Sequence, residues 1–508
     1  MNPPTTAAAL RPDPALEAAP DTRFFGHPRG LSTLFFTEMW ERFSYYGMRA
    51  LLILFMTAAP ATGGLGFDAV TAGAIYGLYT SMVYLATLPG GWIADRVIGA
   101  QRAVLYGGIL IACGHFSMAF PSLATFYIGL VLIVIGTGLL KGNVSVIVGR
   151  LYSANDARRD AGYSIFYMGI NTGAFIAPLV CGYLGQRISW HVGFAAAGVG
   201  MVLGLIQYSF GRKNLGTAGL HPADPGSPAA LAHQKKDATR KAAIGLAVLI
   251  AFGVGLGLGV IPLTATQISD AAGYLLLFTA VGFFAWVLLS GAWTRIERNH
   301  LIVIVALFVG YALYGAAFEQ GGSTLNLFAD RNTRTSAFGW EFPSSWFQSL
   351  NPLFVITFAP LFAWLWIRMA RSGKEMGAPA KFAIGLLLVG GGFALLVPAA
   401  ALSADGTRVA PTWLLVVYLL HTWGELALSP VGLSAMSKLA PVRIGGLVMG
   451  VWFMGAAVGN YVGGRVAGFY ESFPLTGLFG ATAAFAIGAG LLFLLFSRRL
   501  NRMSADTA

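Results

Sequence analysis

The chain has 508 residues, of which 56% are hydrophobic and 11% charged, with a formal net charge of +12. A soluble globular protein carries roughly a quarter charged residues, so a soluble fold would leave this much apolar surface uncovered. The basic excess lies in short segments between apolar blocks, which excludes a nucleic-acid surface and fits the face of a membrane protein.

Residues 1–22 are rich in Ala and Pro and lack the basic-then-apolar order of a signal peptide, so they read as a disordered tail. Blocks of about 20 apolar residues then recur, the length that a bilayer core demands of a helix. Fourteen candidate spans follow. Six begin near Leu31, Asp68, Gln101, Pro121, Gly162 and Trp190; two cover residues 242–261 and 271–293; six more begin near His300, Ser345, Phe382, Thr412, Arg443 and Leu475. The stretch 212–241 is polar, rich in Pro, Gly and Ala, and basic at both ends (Arg212, Lys213; Lys235, Lys236, Arg240, Lys241), which predicts an exposed linker. The expected organisation is a tail (1–30), a six-helix bundle (31–211), a linker (212–241), an extra hairpin (242–294), a second six-helix bundle (295–498) and a closing tail (499–508). Paired six-helix halves are a transporter architecture with a site near mid-membrane.

The loop charges set the orientation. The side holding both termini carries Arg23, Arg29, Arg96, Arg102, Arg150, Arg158, Arg159, the six linker bases and most later Lys and Arg residues. The other side carries only Arg187, Arg331, Arg334, Arg408 and Arg465. This bias predicts cytoplasmic termini. Cys113 and Cys181 lie inside apolar blocks without metal-ligand spacing, and both read as packing residues. No phosphate loop, metal cluster or nucleophile–base constellation appears, so no cofactor, metal or enzymatic activity is expected. The many glycines fit close helix packing, and His115 and His421 read as packing or hydrogen-bonding residues within spans.

Charged residues inside spans cost about 2.5–3.5 kcal/mol each on the insertion scale and need a reason. In the first span Glu38, Glu41, Arg42, Tyr45, Tyr46 and Arg49 fall within an arc of about 140°. Such a stripe must face the bundle interior or a cavity. Lys141, Glu319 and Glu425 lie in three further spans. Self-neutralising pairs within the first span would only pin helices, but three lone charges elsewhere need partners across the bundle.

Glu38-x-x-Glu41-Arg42-Phe43-x-Tyr45-Tyr46-Gly47 resembles the first-helix motif of the proton-dependent oligopeptide transporter family. Phe166-Tyr167-Met168-Gly169-Ile170-Asn171-Thr172-Gly173, Glu319-Gln320-Gly321-Gly322-Ser323-Thr324 and Gly424-Glu425-Leu426-x-x-Ser429-Pro430-x-Gly432-Leu433 are similar to its fifth-, seventh- and tenth-helix motifs. The extra hairpin resembles bacterial members. Gly90-Gly91-Trp92-Ile93-Ala94-Asp95-Arg96 is similar to the helix 2–3 loop motif of the major facilitator superfamily, although Ala100-Gln101 stands where two basic residues usually follow. Gly315 stands where some relatives carry a pocket-wall Trp.

The resemblance implies an all-α integral membrane protein of major facilitator fold with fourteen transmembrane helices. It implies a proton-coupled symporter importing di- and tripeptides across a bacterial inner membrane, with protons and membrane lipid as its other partners; the sequence does not set the oligomeric state, and a monomer is the expectation. It further implies that Glu38, Glu41 and Arg42 couple protons, that Arg49 and Lys141 receive the peptide carboxylate, and that Glu425 receives the amino terminus. Tyr45, Tyr46, Tyr84, Asn171, Asn351 and Trp452 then contact the peptide, and Arg49–Glu319 and Lys141–Glu425 pair across the halves as gates. Alternatives are a facilitator for nitrate or an amino acid, and a membrane-embedded transferase, which would want acidic or His clusters in sizeable loops. The topology is open to a direct check. A reporter fused after Ala508 that needs the cytoplasm should be active, and one active only in the periplasm should stay silent.

Overall fold

The computed structural model describes residues 21–505 apart from 154, 155, 292 and 338. The first twenty residues of the expected tail 1–30, and residues 506–508 of the expected closing tail, lie outside the described residues. Among the described residues fourteen long helices run in sequence: α1 Arg29–Thr57, α2 Ala69–Ile98, α3 Ala100–Met118, α4 Leu123–Arg150, α5 Arg159–Arg187, α6 Trp190–Gly211, α7 Pro228–Gly257, α8 Ala265–Ser290, α9 Arg295–Phe318, α10 Leu350–Arg371, α11 Ala378–Leu402, α12 Thr412–Leu439, α13 Gly445–Ala467 and α14 Leu475–Ala505. Eleven helical segments are apolar and long enough to cross a membrane by composition alone. The first helix fails that criterion because Glu41, Arg42 and Arg49 crowd its middle.

Several helix starts are written locally. The Asp68 carboxylate accepts from Thr71 N–H at 2.7 Å, Ser227 caps α7 with Pro228 at its first position, and Thr264 and Thr294 form reciprocal capping boxes with Gln267 and Glu297. These caps satisfy backbone donors that a helix leaves orphaned. The cap at Ser227 corrects the expected linker. Residues 228–241 are the first turns of α7, because Ala, Lys, Gln and Arg are good helix formers and polarity alone does not prevent a helix. What remains of the linker is also less exposed than expected. Gln101 Nε2 donates to the Gly216 and Ala218 carbonyls at 3.0 Å each, and Ala223 N–H donates to the Asp95 carbonyl at 2.8 Å. The segment is pinned to the α2–α3 connection. One small exception to the all-helical chain is an antiparallel pair, Ser336–Ala337 with Trp340–Glu341, at one end of the bundle.

Helices α1–α6 pack as one bundle and α9–α14 as another. Small residues let the backbones approach. A methyl group on Gly136 of α4 would lie 2.6 Å from the Gly107 carbonyl oxygen of α3. The start of α1 sits beside the end of α6, with Thr33 Oγ1 donating to the Gly211 carbonyl at 3.2 Å. We call this end, which also carries the end of α14, the near end.

The halves pack most closely toward the far end, and α2 follows α13 beyond it as far as Leu88 beside Gly450. At the far end Asn326 Nδ2 donates to the Ala50 carbonyl at 2.8 Å, Trp346 Nε1 to the Leu179 carbonyl at 3.1 Å, and Ser81 Oγ to the Ala457 carbonyl at 2.9 Å. One hydrophobic core joins both halves at the far end and continues through the second half to residues such as Leu301, Phe382 and Met436, whereas residues such as Leu31, Val104, Val144, Ile147 and Tyr208 form a separate core at the near end of the first half. The molecule is therefore closed at the far end and parted at the near end. The close glycine contact within the first half is testable. Gly136→Val should overpack the α3–α4 crossing at a cost of roughly 1–3 kcal/mol and lower the melting temperature of the detergent-solubilised protein. Gly253→Val, with open space around it, should leave melting unchanged.

Candidate functional site

The stripe predicted on α1 is buried in the bundle. Arg42 lies between two carboxylates, with its Nε 3.1 Å from Glu38 Oε1 and in direct contact with Glu41 Oε2. All three side chains are almost fully enclosed. Glu38 Oε2, Glu41 Oε1 and Arg42 Nη2 have no hydrogen-bond partner among the described residues. Buried polar groups are normally satisfied, so this triad has capacity to spare for a proton or water.

One to two turns further along, Tyr45 and Tyr46 meet edge to face at 5.1 Å, with the Arg42 guanidinium over Tyr45 and that of Arg49 over Tyr46. Arg49 Nε donates to the Tyr76 hydroxyl at 2.7 Å, and Arg49 Nη2 lies 2.5 Å from Glu319 Oε2. Glu319 belongs to the other half. It stands where α9 breaks into a 3-10 turn, Glu319–Gly322, before a short helix, Thr324–Arg331. The expected contact between Arg49 and Glu319 is thus present, with both side chains largely screened from solvent.

The expected partnership of Lys141 with Glu425 is not. Lys141 Nζ sits 3.7 Å above the Tyr84 ring, and Glu425 Oε2 accepts from Asn351 Nδ2 at 2.8 Å. Among the described residues neither makes an ion pair, because the halves that carry them are parted at the near end. Asn351 also donates to Thr422 Oγ1 at 3.1 Å. Asn171 is turned back on its own helix, donating to the Tyr167 carbonyl at 3.0 Å. Trp452 stacks on Tyr311 with ring centres 3.8 Å apart. Gly315, which stands where some relatives carry Trp, faces α13, where an added methyl group would meet Gly459 Cα at 3.1 Å.

The sequence reading missed Tyr76, Tyr311, Thr422 and the cluster in which Gln348 and Tyr418 both bind the Gly321 carbonyl. Tyr76 had a weak signal, since it lies eight residues before Tyr84 and so on a neighbouring strip of α2. The others carry none, because their role comes from helices distant in sequence. Among the described residues no group of His, Cys, Asp and Glu could hold a metal ion.

Known proteins resemble this chain in sequence and fold. Residues 101–223 and 283–485 match the model of the POT family. The chain is 44% identical over 500 residues to an uncharacterized transporter, YclF, of Bacillus subtilis (strain 168), covering 97% of this chain and 99% of that one. It is 43% identical over 453 residues to the peptide transporter YePEPT of Yersinia enterocolitica subsp. palearctica serotype O:3 (strain YE-P4), covering 88% of each. A crystal structure of a peptide transporter POT in complex with sulfate superimposes with a TM-score of 0.88 at 43% identity, over 96% of this chain and 98% of that one. A POT family transporter in complex with a thioalcohol conjugated peptide gives 0.85 at 37% identity, over 96% and 99%. Motifs, fold and these likenesses agree: the chain is a multi-pass membrane transporter of the POT family.

Proposed function

We propose that the protein is a proton-coupled symporter that imports di- and tripeptides across the bacterial inner membrane by alternating access, with both termini in the cytoplasm. One observation carries the substrate reading. Lys141 in the first half and Glu425 in the second are charges of opposite sign within membrane spans, and neither has an ionic partner among the described residues. Such charges are expensive unless matched. A zwitterionic peptide matches both, its carboxylate toward Lys141 and Arg49 and its amino terminus toward Glu425. Binding then draws the halves together at the near end, and that differential affinity moves the equilibrium. Tyr45, Tyr46, Tyr84, Asn171, Asn351 and Trp452 supply the aromatic and amide surface around the peptide. Relatives bearing the name di-/tripeptide transporter, such as one of Lactococcus lactis subsp. cremoris at 35% identity, support this choice over nitrate or a single amino acid.

The proton belongs to the Glu38–Glu41–Arg42 triad. One guanidinium touches the two carboxylates and Lys141 is the next positive charge in electrostatic range, so a proton taken up on either carboxylate shifts the charge balance of the whole cluster. The Arg49–Glu319 pair is the far-end latch. Breaking a buried pair by removing one partner costs about 3–5 kcal/mol, so its release has to be repaid by contacts made in the other state. The charge bias puts the open near end in the cytoplasm, so this conformation is inward-facing.

Proteoliposomes test the substrate and proton assignments together. A proton gradient should drive accumulation of dialanine but not of alanine or nitrate. Glu41→Gln should abolish accumulation while retaining exchange of dialanine across the membrane. Accumulation retained in that variant removes Glu41 from proton coupling. For the latch, Arg49→Glu and Glu319→Arg should each cut uptake at least tenfold, and the double variant should recover a measurable part. A double variant no better than either single one refutes the pairing.

A further inference from the structure

The hairpin α7–α8 lies outside both bundles, and nothing in the reading above uses it. Its two helices have different attachments. Helix α7 packs on the near end of α2, around residues 94–98, and otherwise turns an apolar surface outward. Helix α8 lies across the seam between the halves. At the far end Ser269, fully buried, donates to the Ala74 carbonyl of α2 at 3.0 Å. The next residue, Asp270, pairs through Oδ1 with Arg465 Nη2 of α13 at 2.9 Å. One turn on, Gly273 sits against the Tyr461 ring of α13 so closely that a side chain there would collide with it. Toward the near end α8 and the following loop hold the second half, through Phe284 on Phe308 at 4.9 Å and Trp293 under the Arg443 guanidinium at 3.6 Å.

Helices α2 and α13 themselves touch at this same far end. A methyl group on Gly73 would lie 2.6 Å from the Gly464 carbonyl oxygen, and one on Gly77 2.8 Å from that of Tyr461. Opening the far end requires these helices to separate. Helix α8 grips both of them there: Ser269 bonds the α2 backbone and also meets the Tyr461 hydroxyl of α13, and Asp270 pairs with Arg465, so when α2 and α13 separate α8 loses its hold on one of them. The Ser269 contact is fully buried, whereas Asp270 and Arg465 remain partly exposed, so the ion pair is the contact that parts.

We propose that the hairpin is a clip across the α2–α13 seam, and that the Asp270–Arg465 pair holds the far end shut. The clip is a conformational device separate from the Arg49–Glu319 latch in the cleft. It sets how often the carrier presents its site to the far side. The idea rests on the alternating-access reading but not on the identity of the solute or on proton coupling.

The experiment reads distance rather than transport. Spin labels are placed on cysteines at positions 188 and 402, exposed far-end sites of the two halves, in a background with Cys113→Ala and Cys181→Ala. Double electron–electron resonance in lipid nanodiscs then reports the far-end separation. Asp270→Asn should raise the ratio of far-open to far-closed molecules about two- to fivefold, the range an exposed ion pair supports. The double reversal Asp270→Arg with Arg465→Asp should restore the distribution of the parent. Gly273→Ala, which leaves the charges alone and wedges α8 from α13, should shift it in the same direction as Asp270→Asn. Unchanged distances in Asp270→Asn and Gly273→Ala overturn the proposal. So does a shift in Asp270→Asn that the double reversal fails to correct. Dialanine uptake by the parent protein is measured separately, and its failure would count against the proposed substrate rather than against the clip.

Discussion

Much of this molecule depends on a single electrostatic constraint: a charge within a membrane must find a partner. Arg49 satisfies it by reaching across to Glu319 of the other half, so the ion pair that stabilises the charge also holds the two bundles together. Arg42 satisfies it locally, between Glu38 and Glu41, and leaves carboxylate oxygens unsatisfied. Lys141 and Glu425 satisfy it only in part, by an aromatic face and an amide. The three solutions have different consequences. In the function proposed above, the paired charge is the latch, the triad is the proton site, and the two separated charges receive the zwitterion.

The scaffold serves these placements. Glycine contacts such as Gly107–Gly136 bring backbones close without side-chain adjustment, so each half behaves as a rigid body. At the far end small residues also line the α2–α13 seam, where flat surfaces can rock against each other. The break in α9 at Glu319 frees that carboxylate from a regular helical position and lets it meet Arg49. Irregular backbone at membrane depth is tolerated where it is buried or lines a cavity, and here it coincides with the latch.

Most of the site was legible from residue chemistry. The α1 stripe follows from the 100° turn of a helix, and a stripe of that width on a spanning segment has few places to go. Glu319 and Glu425 stood out in the same way, as lone charges within apolar spans on distant helices, and the motif resemblance then suggested their roles. The Lys141–Glu425 pair is not formed in this conformation, because sequence supplies complementary charges without the separation between them. The linker was misread because polar residues are compatible with both coil and helix, and only a cap and a place to lean chose helix for residues 228–241.

The sequence by itself determined the class of solvent, the number of spans, the charge bias between the faces and the identity of the buried ionisable groups. All of these are carried by composition and by local periodicity, which survive without any knowledge of neighbours. Only the tertiary structure decided which end is closed, that Arg49 meets Glu319 while Lys141 and Glu425 stay apart, and that the hairpin straddles the α2–α13 seam. Each of those is a relation between rigid bundles. Both inward and outward arrangements bury the same helical faces within each half, so the pattern along the chain is compatible with either, and the contacts between halves choose.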